Sequence, residues 1–278
     1  MDIVFISDFF ASQILGGGEL NDDELIKLLQ EKNNVVAINS QNITLNFLKT
    51  NNKSKFIISN FAGLSIESIK HISDNIHYIV YEHDHKYLPN RNPGVYKNYK
   101  APKNEIINLH FYKNAKAVFC QSKFHKDIVE RNLGLANIIS AGGNLWSIET
   151  LEYLKKLSTK DKKQACSIMD SNIPHKNTKK AVAFCKHKGY EYDLIKSQNY
   201  KQFLNRLTDN KKLVFFPETP ETLSRIVVEA RMSGMDTITT KNIGAIGENW
   251  FNMKGKELIY TMQTKRHLIR NKVLDFLE

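Results

Sequence analysis

Short runs of apolar, β-branched residues alternate with amphipathic stretches from one end of the chain to the other. The runs predict strands over 3–7, 35–39, 56–59, 78–81, 117–121 and 137–140, then over 166–169, 191–195, 213–216 and 237–240. Their near-continuous apolar character suits parallel strands covered on both faces. Helical patterns lie between them, over 20–30, 104–113, 123–132, 177–188, 220–233 and 265–277. Alternating strand and helix predicts an α/β protein, and ten strands divide more naturally into two sheets than one. The break falls at 141–163, which opens on Gly142-Gly143-Asn144 and continues through a lysine-rich helix. The expected layout is an N-terminal Rossmann-like domain over 1–143, a linker helix over 144–163, a second Rossmann-like domain over 164–264, and a terminal helix over 265–278. Two doubly wound parallel-sheet domains in tandem would face a cleft, with ligands bound at the carboxyl ends of the strands.

Composition narrows the class. With 278 residues, 41% hydrophobic and 25% charged, the chain is ordinary globular material, not fibrous or disordered. Three cysteines, Cys120, Cys166 and Cys185, make no disulfide framework and suit a reducing compartment. The N-terminus reads as a strand and not a leader, and no apolar run reaches the ~20 residues that span a bilayer. A cytoplasmic protein is expected, compatible with association at a membrane surface. The net charge of +11 is uneven: residues 1–150 hold 16 basic and 15 acidic side chains, the rest 24 and 14. A neutral half joined to a basic half implies that the second meets anions, whether nucleotide phosphate, nucleic acid or an anionic membrane, unless it is simply a solvated surface.

Four groups of residues fall just after predicted strands. Gly16, Gly17 and Gly18 precede a helix, where glycines permit positive φ and helix N–H groups face an anion, or where they make only a flexible turn. The spacing is neither the dinucleotide fingerprint nor a P-loop. Glu82-His83-Asp84-His85-Lys86 follows the fourth strand. So many ionisable groups make poor core, leaving a catalytic or sugar-contacting role, a metal site drawing on His110 or His125, or a solvated loop. Lys176 opens a helix and reads as a phosphate site or as an exposed basic turn. In Pro220-Glu221-Thr222-Leu223-Ser224 through Glu229-Ala230, a helix over 220–233 would set Glu221 and Glu229 eight positions apart along one side. Dipole complementation is the plainer account of Glu221.

Together these groups resemble retaining glycosyltransferases of the GT-B fold, specifically glycosyltransferase family 4, over most of the chain and in the family's order. Gly16-Gly17-Gly18-Glu19 is similar to the family's Gly-Gly-x-Glu loop, His83-Asp84 to its His-Asp pair, and Val118-Phe119-Cys120-Gln121-Ser122 to its strand-then-Ser element. Glu221 and Glu229 match its Glu-x7-Glu motif. Two positions depart: Ser171 stands where the family has an Arg, and Ser224 where it has a Gly. The resemblance implies a glycosyltransferase moving a sugar from a nucleotide-sugar donor to an unknown acceptor hydroxyl with retention, using no cofactor and no essential metal. It implies that Glu229 holds the ribose, Glu221 the donor sugar, Lys176 with the backbone at Thr222 and Leu223 the diphosphate, and that His83 and Gly16–Gly18 approach from the first domain. His83 and Glu221 are then the catalytic candidates. The acceptor would be a glycan, a lipid-linked or a small molecule, and no specific nucleic acid is expected as a partner. The missing Arg keeps a second reading alive, a catalytically weak sugar-nucleotide-binding protein on the same fold. A basic nucleic-acid-binding protein is a third.

Overall fold

The computed structural model describes residues 1–196 and 199–278. Six strands form the first sheet: β1 (Asp2–Ser7), β2 (Asn34–Asn39), β3 (Lys55–Ile58), β4 (Tyr78–Glu82), β5 (Val118–Cys120) and β6 (Ile138–Ser140). They are all parallel, in the order β2-β1-β3-β4-β5-β6. Four more, β7 (Lys163–Met169), β8 (Tyr192–Ile195), β9 (Asn210–Phe215) and β10 (Asp236–Thr239), form a second parallel sheet in the order β10-β9-β7-β8. All ten strands lie where the apolar runs predict them, with ends that differ by a few residues. The fold class is α/β with two parallel-sheet units.

The crossovers are helical: α1 (Gly17–Gln30), α2 (Leu45–Thr50), α3 (Ile66–Asn75), α4 (Leu109–Asn114) and α5 (Lys123–Leu133) in the first sheet's part of the chain. Then come α6 (Ile148–Ser158), α7 (Thr178–Lys188), α8 (Tyr200–Leu207), α9 (Arg225–Met232) and α10 (Gly255–Asp275). The chain divides into two compact units, one comprising Met1–Leu145 with Lys265–Glu278 and the other Trp146–Thr264.

Each unit has two hydrophobic clusters, because successive strand residues point to opposite faces. In the first unit Val4, Ile6, Phe56, Ile58 and Val80 pack on one side of the sheet. Ile3, Phe5, Ile57, Ile79 and Phe119 pack on the other, against Leu25 and Leu29 of α1 and Ile269 and Val273 of α10. Arg266 and Glu24 form a buried ion pair between those same two helices. In the second unit Leu213 and Phe215 face a cluster containing Val227 and Val228, and Val214 and Phe216 face Ala181 and Cys185. Burial of each large side chain contributes about 1.5–3 kcal/mol, so both sheets are held from both sides.

Winding determines where ligands can enter. Numbered within itself, each sheet begins 2-1-3-4, so its course reverses between its first and third strands. In open α/β sheets that reversal opens a crevice at the strands' carboxyl ends. The crevices lie between β1 and β3 and between β7 and β9.

Several local expectations need correction. The helix expected over 220–233 is confined to Arg225–Met232. Glu221 instead pairs with Ile243 in a parallel bridge, its N–H donating to Asn242 O and its C=O accepting from Gly244 N. Ser224, at φ 75°, then breaks the path into the helix. The helix expected over 104–113 shrinks to Leu109–Asn114, because Ile107 N and the Asn108 side chain are bonded to the carbonyls of Tyr87 and Lys86. Asn177, expected as helical, sits at φ 56° before α7. The terminal helix starts at Gly255, ten residues earlier than expected.

Candidate functional site

At the carboxyl ends of the first sheet, five polar residues form one network. Ser7 ends β1, Asp22 lies on α1, Ser59 follows β3, His83 follows β4 and Gln121 follows β5. The fully buried Asp22 carboxylate accepts from Ser59 Oγ at 2.5 Å, Ser7 Oγ at 3.3 Å and His83 Nε2 at 2.5 Å. The second ring nitrogen, His83 Nδ1, accepts from the Gln121 amide at 2.5 Å. Burial works against a charged His83, but the charge and hydrogen bond of Asp22 outweigh it and hold the ring above the ordinary imidazole range.

The three glycines serve this network differently from expectation. None has a positive φ. Gly16 is the N-cap of α1, at φ −135°, and Gly17 and Gly18 are already helical. What matters at Gly18 is space: a Cβ there would stand 3.3 Å from His83 Cγ.

Apart from the partly exposed Asp84, the rest of the segment around His83 is core, contrary to the expectation that so many ionisable residues would avoid it. Glu82, His85 and Lys86 are buried. Lys86 Nζ bridges Glu82 at 2.9 Å and Asp84 at 2.6 Å, and Tyr112 donates to Glu82. Paired on two sides, the lysine stays charged in spite of its burial. His85 and His125 pack ring to ring at 5.0 Å. Burial pushes His85 down to about 3 and His125 well below the usual range, so both are neutral. His110 is bonded to Asp74 on the surface instead. Among the described residues no group of three or more His, Cys, Asp or Glu side chains is placed to hold a metal ion.

In the second unit Lys176, from the segment after β7, meets Glu221, from the segment after β9, at 2.7 Å. Lys176 ends a single 3-10 turn and does not open the helix as expected. Thr222 and Leu223 follow Glu221 in the same non-helical turn, with Leu223 fully buried and its carbonyl accepting from Ala245 N. Glu229 lies inside α9 and is 2% exposed. Its Oε1 accepts from Trp146 Nε1 at 2.9 Å and Tyr200 OH at 2.5 Å, and Arg225 Nε stands 3.3 Å away. The Arg225 guanidinium also stacks on the Trp146 ring at 4.4 Å. Ser171, where the resemblance expects an Arg, organises a turn: its N–H donates to Thr178 Oγ1 and its Oγ accepts from Ile173 N.

The structure thus joins Lys176 to Glu221, and Gly18 to His83, in separate units. Residues the sequence reading passed over are Asp22, Ser59, Trp146, Tyr200 and Arg225. Of these only Arg225 carried a local signal, its i,i+4 spacing to Glu229.

No protein family's sequence profile and no curated protein matches the chain. Solved structures do. HepE from Anabaena in complex with UDP is 13% identical, with 99% of this chain and 94% of that one covered at a TM-score of 0.60. The same protein in complex with UDP-glucose gives 0.57 at 13% identity, over 100% and 92%. A glycosyltransferase from Rickettsia africae gives 0.50 at 14% identity, over 100% and 94%. The chain has the fold of GT-B glycosyltransferases. That fold assignment rests on the two parallel sheets and runs the length of the chain. Among the described residues no helix is long and apolar enough to cross a membrane.

Proposed function

We propose that the protein is a glycosyltransferase that takes a sugar from a nucleotide-sugar donor to an acceptor hydroxyl with retention at the anomeric carbon. The observation that carries the reading is the Lys176–Glu221 pair at the crevice between β7 and β9, in a chain whose fold matches transferases. A lysine and a carboxylate at such a crevice suit opposite ends of one donor: the cation faces the diphosphate and the carboxylate accepts from sugar hydroxyls. UDP is the first nucleotide to test, because HepE is seen with UDP and UDP-glucose.

In the reaction the bond from the anomeric carbon to the phosphate oxygen breaks, and a bond to the acceptor oxygen forms on the same face. The acceptor's proton passes to the departing phosphate oxygen. Lys176 stabilises the charge growing on that oxygen, a task for a pre-placed cation. Arg225, beside Glu229, would supply the guanidinium that position 171 lacks. Thr222 and Leu223 present backbone to the donor, and His83 with Gly16, Gly17 and Gly18 would take part at the crevice between β1 and β3. Glu229 would bind the ribose through whatever its carboxylate offers beyond Trp146, Tyr200 and Arg225.

A thermal-shift panel of UDP-, GDP-, ADP-, CMP- and dTDP-sugars, run beside Lys176→Ala, tests the reading. Ligand at 100 times its dissociation constant adds roughly 2.7 kcal/mol of stability. One nucleotide class should stabilise the protein, less so in the variant; no shift with any donor at millimolar concentration refutes it. Ser171 and the occupied Glu229 favour a second reading, a sugar-nucleotide-binding protein of little activity. Binding without nucleotide release would select it.

A further inference from the structure

Asp22 was not among the expected site residues, yet it is the centre of the network at the crevice between β1 and β3. It is fully buried, and its neighbours are Ser7, which ends β1, and Ser59, which follows β3, the two strands that flank the crevice. Two serine hydroxyls fix the carboxylate, the carboxylate fixes His83 Nε2, and Gln121 caps His83 Nδ1. Gly18 packs against the ring at Cγ, where even a methyl group would press on it. A ring held on both nitrogens has no lone pair to offer an incoming hydroxyl. A base needs a nitrogen within hydrogen-bond reach of the proton it removes.

We propose that Asp22 and Gln121 are positioning residues that occupy both ring nitrogens of His83, so that His83 faces the crevice between β1 and β3 as an oriented imidazolium and takes no proton from an acceptor hydroxyl. When the ring carries both protons, Nε2–H donates to Asp22 and the Gln121 amide presents its oxygen to Nδ1–H. The inference rests on the transferase reading for what His83 serves, but not for its charge or its orientation.

Asp22 and Glu19 of α1 favour a charged His83 ring, while Lys86 opposes it. The Tyr81 ring meets it edge-on at 5.4 Å. His125, the neighbouring imidazole on α5, is itself disfavoured as a cation. Asp22 is the carboxylate in direct contact, so its removal is the decisive change.

The test is a nitrogen-edited NMR titration of the histidine imidazoles in the full chain, with His83→Gln to assign the signal. His83 should titrate above the ordinary 6.5, and Asp22→Asn should lower its midpoint by about one pH unit or more. Gln121→Glu places a carboxylate on the other nitrogen and should raise it, which keeps the test open if Asp22→Asn does not fold. A midpoint at or below 6.5 in the unmodified protein, or one that neither variant moves, overturns the proposal. Release of UDP from UDP-glucose provides a second readout: kcat should be flat across the His83 midpoint. A limb at that midpoint, with activity rising as His83 loses its proton, marks a base and also overturns it. Absence of turnover with UDP-glucose bears on the choice of donor, while the titration still decides the proposal.

Discussion

Lys176 Nζ and Glu221 Oε1 meet at 2.7 Å and join the segments that leave β7 and β9, the two strands between which the second sheet reverses its course. Both side chains keep some exposure, 22% and 16%, so the pair contributes little to folding. Lys176→Ala should therefore change unfolding free energy by less than about 1 kcal/mol. It should weaken UDP binding by roughly 10- to 100-fold, the loss of one charge-assisted contact worth about 1.5–3 kcal/mol. Urea unfolding and UDP titration of the same preparation check the two halves.

Glu229 behaves differently, because three partners within the protein converge on its buried carboxylate. Glu229→Ala would remove the buried carboxylate that faces the Arg225 guanidinium and the Trp146 N–H, and should destabilise the protein by about 3 kcal/mol. Its loss of ligand binding would then partly report unfolding. Unfolding curves for Glu229→Gln, which keeps an acceptor for Trp146 and Tyr200, should fall between this variant and the unmodified protein.

How far the chain could be read in advance follows from range. Strands were legible because Val4, Ile6, Ile57 and Val80 are buried whichever face they point to, so apolar runs marked them directly. The start of α9 was not. Nothing local in Pro220-Glu221-Thr222-Leu223-Ser224 shows that Asn242 and Gly244 would claim Glu221's backbone, and the helical period ran on through it. Asp22 was invisible for the same reason: beside Asp23 and Glu24 on α1 it looks like a solvated face. Only the approach of Ser7, Ser59 and His83 gives it a role. Ionic core residues such as Lys86 likewise escape a reading that equates charge with surface.

Ser224 offers a stability gain. It holds φ at 75°, where a side chain costs roughly 1–2 kcal/mol, and its buried hydroxyl has no hydrogen-bond partner. Ser224→Gly relieves both, against the larger entropy of glycine in the unfolded chain. Unfolding free energy should rise by about 1 kcal/mol, measured in urea.

Gly18→Ala separates helix propensity from function. Alanine favours a helix over glycine by about 0.8–1 kcal/mol, but its Cβ would press on a His83 ring that Asp22 and Gln121 hold in place. Thermal stability should change little, while nucleotide release falls at least several-fold. Equal loss of both would show that the ring is not constrained.

The neutral pair His85 and His125 sets the response to mild acid. Both have folded-state values below the unfolded one, so between about 6.5 and the depressed folded values the unfolded chain binds more protons. Stability should fall as pH drops below about 6.5, by up to about 1.4 kcal/mol per pH unit for each ring. His83 has the opposite sign: its contribution is complete below about 6.5 and is lost only as pH rises through its elevated folded value. Urea midpoints at pH 7 and 5 should differ accordingly, with a smaller difference in His125→Asn.

The most direct measurement is a calorimetric titration of UDP into the unmodified protein and into Lys176→Ala. The account predicts saturable one-site binding to the first and binding weakened at least tenfold in the second, with both proteins equally folded. Equal affinity in the two, or no heat from either while a different class of ligand binds, would contradict a donor site built on Lys176 and Glu221.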